Sequence, residues 1–389
     1  MTDSDTRLGH YVTTTLVGEA VRAFVPPPLP PRPAVDLSPF YSRLDQANQA
    51  LGRLDGLSAL LPNTKLFLYL YVQKEALLSS QIEGTQSSLT DLLLYENDQM
   101  PGTPVDDVEE VSNYVAAMNH GLNRMKEGFP LSLRLIREIH AVLLRGGRGA
   151  DKQAGEFRRS QNWIGGTRPG NAAFVPPPVT HLDACLGDLE RFIHDDAQAL
   201  PVLVKAALVH VQFETIHPFL DGNGRLGRLL ITLILVMENA MIDPILYLSL
   251  YFKTHRQTYY DLLTRVRTHG DWESWIAFFL DGVTQVALEA TDSARRILEI
   301  FSEDTAMIQQ QGRRASTMLR VHTYFQRQPY AGIAHAASQT QLSFPAVSNA
   351  VNGLAGLGIL HEVSGRARDR IYAYSRYLTV LSEGAAPIG

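Results

Sequence analysis

The sequence predicts a mainly α-helical protein: a helical bundle interrupted by one β-hairpin and followed by a small C-terminal module of short helices and strands. Three observations carry this. Apolar residues recur at helical spacing through 64–84, 105–127, 131–145, 180–196 and 200–216. Residues 225–240 are apolar on nearly every side, which places that helix at the buried centre of a bundle. Strand-like runs are short and confined to 161–178 and 359–374.

With 389 residues, 45% of them hydrophobic, the chain is long enough for two or three domains with a real core. The N-terminus lacks the basic-then-apolar pattern of a signal peptide, and the longest apolar run, Leu229 to Met237, is far too short to span a bilayer. A cytoplasmic location is expected. Cys185 is the only cysteine, which excludes an intrachain disulfide and a cysteine-based zinc site. Net charge is −5, yet residues 311–380 carry eight arginines against Glu362 and Asp369. That asymmetry points to a separate module with its own partner.

Taken in order, Pro26-Pro27-Pro28-Leu29-Pro30-Pro31-Arg32 is expected to be an extended polyproline arm lying over the surface. After Pro62-Asn63-Thr64 a strong helix begins and runs to Gly84, whose freedom suits the left-handed residue that closes a helix. In its last turn Ser79 and Glu83 are four apart and face the same way. Ser88 and Asp91 have the spacing of a capping box for the next helix. Helices at 105–127 and 131–145 follow. Then Gln161-Asn162-Trp163-Ile164 and Ala173-Phe174-Val175 flank Gly165, Gly166, Pro169, Gly170 and Asn171 as a hairpin. Helices resume at 180–196, 200–216 and 225–240, with further ones at 253–268, 271–289 and 291–310.

Residues 217–228, His-Pro-Phe-Leu-Asp-Gly-Asn-Gly-Arg-Leu-Gly-Arg, pack a base, a carboxylate, close glycines and two arginines into twelve positions. Glycines let backbone N–H groups approach a phosphate, the helix they open aims its positive end there, and Arg225 and Arg228 supply forks for phosphate oxygens. Asp221 is free to hold a divalent cation, and His217 to take a proton from a hydroxyl. Gly222 to Gly227 is formally G-x-G-x-x-G, but residues 200–216 before it are helical and nothing near 247 is acidic, which argues against a dinucleotide fold. A metal set of His210, Glu214, His217 and Asp221 would need the helix to run on through His217, where Pro218 ends it; His210 reads as a neutral core residue.

This stretch resembles the signature of the Fic/Doc family, with every constrained position filled. The resemblance implies a Fic-type bundle with a β-hairpin flap, and an enzyme transferring AMP from ATP to a Ser, Thr or Tyr hydroxyl of a target protein. It implies His217 as base, Asp221 on Mg²⁺, and Gly222, Asn223, Gly224, Arg225, Leu226, Gly227 and Arg228 as the phosphate site. Flap residues Ile164, Gly165, Gly166 and Thr167 would lie over the nucleotide, with Tyr259 and Tyr260 as adenine contacts, and the flap edge 161–178 would pair with the target; Gly155-Glu156-Phe157-Arg158 fits the run into the flap. Ser79, Glu83 and Gly84 match the inhibitory (Ser/Thr)-x-x-x-Glu-(Gly/Asn) motif of self-restrained members. Residues 317–374 resemble a winged helix-turn-helix domain, with Ser343 to Leu357 as recognition helix and 361–374 as a basic wing. The expected organisation is a regulatory region 1–100, a catalytic core 101–290, a connecting helix 291–312 and a winged helix 313–389. Removal of AMP from a target by water oriented on Glu83, and a nucleotide-sensing transcription regulator, are the alternative functions. DNA or protein at the winged helix, and a second copy of the chain, are the open partners; no membrane is expected.

Overall fold

The computed structural model describes residues 7–60, 64–95, 105–146, 149, 151–195, 200–366 and 368–387. The Pro62-Asn63 start signal and the end of the expected helix 180–196 lie outside them. The chain opens with a hairpin, β1 (His10–Leu16) and β2 (Glu19–Val25), paired antiparallel. The sequence reading did not foresee it. Its two-residue turn is Val17-Gly18, with φ of 51° and 79°, the twist that matches a right-handed hairpin. An arm follows, in which the Leu29-Pro30 and Arg32-Pro33 bonds are cis, so a continuous polyproline helix is not what forms. The arm does lie over the domain: Gln212 Nε2 donates to the Pro27 carbonyl at 2.8 Å.

Helices α1 (Tyr41–Leu60), α2 (Thr64–Ile82), α3 (Leu89–Tyr95), α4 (Val105–Lys126) and α5 (Leu133–Leu143) come next. The Ser88–Asp91 capping box forms: Asp91 N donates to Ser88 Oγ at 3.2 Å, and Ser88 N donates back to Asp91 Oδ2 at 3.0 Å. After the flap come α6 (Val179–Ile193), α7 (Val202–Ile216) and α8 (Asn223–Met237). Helix α8 packs against α2, α4, α5 and α7, with Leu229, Leu230, Leu233, Ile234 and Leu235 fully buried. The element that carries the signature is therefore held on several sides.

Two expectations change beyond it. The segment 253–268 divides into α9 (Ser249–Thr254) and α10 (Arg256–His269). Residues 271–310, expected as two helices, form one helix of 38 residues, α11 (Trp272–Gln309), capped by Asp271. No glycine or proline occurs between Gly282 and Gly312, so nothing breaks it, and Ala287, Ala290, Ala294 and Ile297 continue one buried stripe. Its first half packs along α1 and its second carries the C-terminal region. That region contains α12 (Ala315–Arg327), β3 (Tyr330–Gly332), α13 (Ile333–Thr340), α14 (Phe344–Gly356), β4 (His361–Glu362), β5 (Ile371–Ala373) and α15 (Ser375–Leu381). The strands form an antiparallel sheet in the order β3-β5-β4. Arg376, counted in the sequence with the basic module, is instead paired with Glu303 at 2.6 Å and Asp304 at 3.0 Å of α11.

Candidate active site

Helix α7 ends because Pro218 follows His217, which takes up the left-handed cap with φ 49°. The loop turns at Gly222, φ 75°, where an added Cβ would press on Leu144 and His140 at 3.3 and 3.4 Å. Asn223 ties the loop together: Phe219 N donates to its Oδ1 and its Nδ2 donates to Phe219 O, both at 2.9 Å. Helix α8 then starts with no side-chain cap, and first-turn amides that lack intrahelical acceptors are the ordinary makings of an anion site.

His217 is partly buried, and its Nδ1 lies near the Glu214 carbonyl without a hydrogen bond of good geometry. Burial, with Arg158 nearby, pushes its imidazole down to about 4, so it stands as a free base at neutral pH. Arg158 holds the loop. Its side chain is 1% exposed, donating through Nε to the His217 carbonyl at 3.0 Å and through Nη2 to that of Pro177 at 2.6 Å. Its own N–H donates to Pro218 O at 2.9 Å. His140 acts on the other flank. Gly155 N donates to its Nδ1 at 2.8 Å, which leaves Nε2–H to donate to the Asp221 carbonyl at 3.0 Å. His140 was not legible as part of the site and Arg158 only as part of the run into the flap, since they hold the loop through the carbonyls of Asp221 and His217, more than fifty positions away.

Asp221 Oδ1 accepts from Gly222 N at 2.6 Å and lies 3.6 Å from Arg225 Nη2, while Oδ2 looks toward Gly149. A carboxylate held by one oxygen with the other open suits a hard divalent cation. Arg225 is buried and lies 3.1 Å from Glu110 of α4, a structural pairing that the spacing of the signature did not reveal. Leu226 is in the core and contributes no side chain to the cleft. Gly227 lies under Glu214, whose Oε1 would be 2.5 Å from an added Cβ.

Arg228 is 1% exposed and held by the end of α2. Its Nε donates to Ser79 Oγ at 2.8 Å, and its Nη2 to Ser79 O at 3.0 Å and to Glu83 Oε1 at 2.7 Å. Burial raises the Glu83 carboxyl, but Arg228, with Arg225 and His217 adding to it, brings the net position below the usual range. Gly84 has φ 104° and ends the turn. Glu83 also overhangs the anion site, since a Cβ on Gly224 would lie 2.3 Å from its Oε1. Ser79 and Glu83 of the upstream motif therefore meet the last arginine of the signature, 149 and 145 positions away. Glu214 is a second buried carboxylate beside them, pushed by desolvation up to about 7.

The expected hairpin over the site is reduced to one antiparallel bridge, Ile164 with Phe174. Gly165 and Gly166, at φ 67° and 73°, turn the chain away, and Asn171 Oδ1 accepts from Thr167 N at 3.0 Å to close the loop. The flap is buttressed by β2: Phe24 N donates to Val175 O at 2.9 Å, and Arg168 meets Glu19 at 2.7 Å. Of the two expected adenine contacts, Tyr259 is core, its hydroxyl donating to His210 Nε2 at 2.9 Å, while Tyr260 is 37% exposed. His210 Nδ1 donates to Gly227 O at 3.0 Å, so both its nitrogens are taken. Arg267 lies 4.0 Å over the Phe174 ring and joins the flap to α10.

Residues 41–123 match the family model described as Fic/DOC family N-terminal, and residues 130–235 that of the Fic/DOC family. A relative from Aedes aegypti named protein adenylyltransferase Fic is 30% identical over 244 residues, 62% of this chain and 45% of its own. One of the same name from Culex quinquefasciatus is 30% identical over 245 residues, again 62% and 45%. The chain spans about half the length of the curated relatives it matches. The crystal structure of a Fic family protein from Desulfovibrio desulfuricans G20 shares the fold, with a TM-score of 0.58 and 19% identity over 88% of this chain and 97% of that one. Among the described residues, no helix is long and apolar enough to cross a membrane.

Proposed function

Because this chain belongs to the Fic/DOC family, we propose that it is a protein adenylyltransferase, moving AMP from ATP onto a Ser, Thr or Tyr hydroxyl of a target or of itself, with Glu83 holding the activity in check. The observation that carries the reading is the Glu83–Arg228 pair at 2.7 Å over the first turn of α8, on the helix that follows His217. The unprotonated imidazole of His217 takes the hydroxyl proton. The freed oxygen attacks the α-phosphorus, a P–O bond forms to the target, and the bond to the β-phosphate breaks to release pyrophosphate. The amides of Asn223 and Gly224 at the start of α8 would take the charge that develops on the α-phosphate oxygens, since that of Gly222 already donates to Asp221 Oδ1. Asp221 is the residue that would hold Mg²⁺, which when bound neutralises phosphate charge. Arg158, His140 and Asn223 hold the loop in place before substrate arrives, so the catalysis is positioning plus electrostatics.

Arg228 is the cation left for an outer phosphate, because Arg225 is committed to Glu110. While Glu83 occupies Arg228, an incoming γ-phosphate loses its partner and meets a like charge. Ser79 steadies Arg228 in either state. The same carboxylate, 34% exposed, is placed to orient a water for removal of AMP, the second activity this geometry suits. The C-terminal region, read as a winged helix with α14 in the recognition position, supplies a separate partner surface. The chain is placed in the cytoplasm, a reading supported by its single, buried cysteine.

His217→Ala and Asp221→Ala test the machinery. The first is expected to abolish transfer while ATP binding stays within a few-fold, because the base touches the acceptor and not the nucleotide ground state. The second is expected to lose Mg²⁺-dependent turnover, and an Asp221→Ala protein equally active in EDTA would refute the metal role.

A further inference from the structure

A cavity of about 680 Å³ lies between the first half of α14 and the loop before β5, and one of its walls is Leu94 of α3. Helix α14 turns Phe344, Ser348 and Asn352 into it, and Arg368 and Arg370 stand exposed across from them beside a single acid, Asp369. Further round α14, Asn349 faces a second hollow edged by the exposed Arg313 and Arg314, with Asn352 on the border between the two. The helix thus presents small uncharged polar groups between two pairs of arginines. Asparagine amides read base edges and arginines take phosphates, so the arrangement suits an α-helix laid in the major groove of duplex DNA.

The segment bearing Glu83 is pinned to this region at both ends. Before it, Gln81, buried in the last turn of α2, donates to Ala385 O at 3.0 Å and to Ser87 O at 2.9 Å. After it, Thr90 Oγ1 and Tyr330 Oη of β3 share a hydrogen bond at 3.2 Å, and Leu94 lines the cavity itself. The capping box makes α3 and the turn at Gly84 one short rigid connection. Leu94 walls the same cavity, so a duplex that enters it meets α3, the helix joined through the turn at Gly84 to Glu83.

We propose that the groove beside α14 binds duplex DNA and that its occupancy is linked to the Glu83–Arg228 pair, so that DNA releases the catalytic site and release of the pair tightens DNA. The linkage rests on the reading of Glu83 as the inhibitory group; the DNA site does not. Linkage is reciprocal, so either direction can be measured.

The test is fluorescence anisotropy of a labelled mixed-sequence duplex with the full chain at low ionic strength, alongside self-adenylylation with and without the duplex. Binding is expected to weaken steeply with salt, and Arg368→Ala with Arg370→Ala, both exposed, to lower affinity at least tenfold without changing DNA-free transfer. Glu83→Gly is expected to bind the duplex about fivefold tighter than wild type with no nucleotide present, the lower end of ordinary allosteric coupling. Tyr330→Phe, which removes the hydroxyl that ties Thr90 to β3, is expected to ease the withdrawal of α3 from the groove, tightening duplex binding and raising DNA-free transfer. Absence of duplex binding at low salt overturns the site and leaves the groove to a protein partner. Equal DNA affinity of wild type and Glu83→Gly, or inhibition of transfer by DNA, overturns the linkage. A Glu83→Gly protein that binds DNA tighter yet transfers no AMP would instead sink the adenylyltransferase reading.

Discussion

Arg228 illustrates how one buried cation can serve two partners in turn. A guanidinium at 1% exposure must be paired, because a lone buried charge costs several kcal/mol. Ser79 and Glu83 meet that need now, and a phosphate would meet it equally well. Arg158 solves a different problem, with no carboxylate among its hydrogen-bond partners in the described residues: burial lowers its guanidinium to about 10, and it spends its donors on the carbonyls of His217, Pro177, Ile216 and Ser160. Replacing it by Met leaves those carbonyls unpaired and frees the His217 loop. Arg158→Met is expected to cost about 2–4 kcal/mol in chemical denaturation and to lower transfer through kcat more than through the KM for ATP. Unchanged stability would show that the loop holds itself.

At the scale of elements, the N-terminal hairpin shows where local signals ended. Its turn places Val17, a β-branched residue 78% exposed, at φ 51°, a conformation that costs about 1 kcal/mol for such side chains and that Asn tolerates. Val17→Asn is therefore expected to slow amide exchange of β1 and β2 by about fivefold, with flap residue Phe174 following because β2 supports it. No change in exchange would mean that the turn is not what limits opening. The same residue explains why the hairpin escaped the sequence reading, since Val-Gly carries none of the Asn-Gly or Asp-Gly signal. Elements with their own punctuation were legible: Ser343 caps α14 with its side chain accepting from Ala346 N, and Ser88 with Asp91 opens α3. The continuity of α11 was not, because a missing breaker is a weaker signal than a present one. The partners of Arg225, Arg158 and His140 lie far off in sequence, and only packing brings them together.

The whole molecule buries an unusual set of titratable groups, and they make stability depend on pH. His140, His210, His217 and His322 are pushed by burial down to about 4, 3, 4 and 4. Each is neutral when folded and protonated when unfolded below about 6.5, so each loses stability as pH falls toward its folded value. Glu75 and Glu214, raised by desolvation to about 7, act in the opposite sense over the same window, being protonated when folded and ionised when unfolded. Four histidines against two glutamates leave unfolding with a net uptake of protons across this range, about two near pH 5 and less than one near 6.5. The melting temperature is expected to fall as pH drops through that range, and a flat or rising profile would show that these groups are not buried as described. Charge is also divided at this scale. Of the exposed arginines of 311–380, Arg313, Arg314, Arg368 and Arg370 edge the hollows beside α14, Arg320 and Arg327 edge one between α12 and α13, and Arg376 fastens the region to α11.

The central claim, that Glu83 restrains adenylyl transfer by occupying Arg228, is tested most directly by transfer of label from ATP labelled on the α-phosphate. Wild type and Glu83→Gly would be compared at saturating ATP with Mg²⁺ and the same acceptor, self-modification included. The account expects the variant to incorporate label at least tenfold faster, since about 1.4 kcal/mol of regained alignment corresponds to tenfold, with His217→Ala in the same background silent. Equal incorporation by wild type and Glu83→Gly would contradict it and return Glu83 to the role of a helix-end residue that merely neutralises a buried arginine.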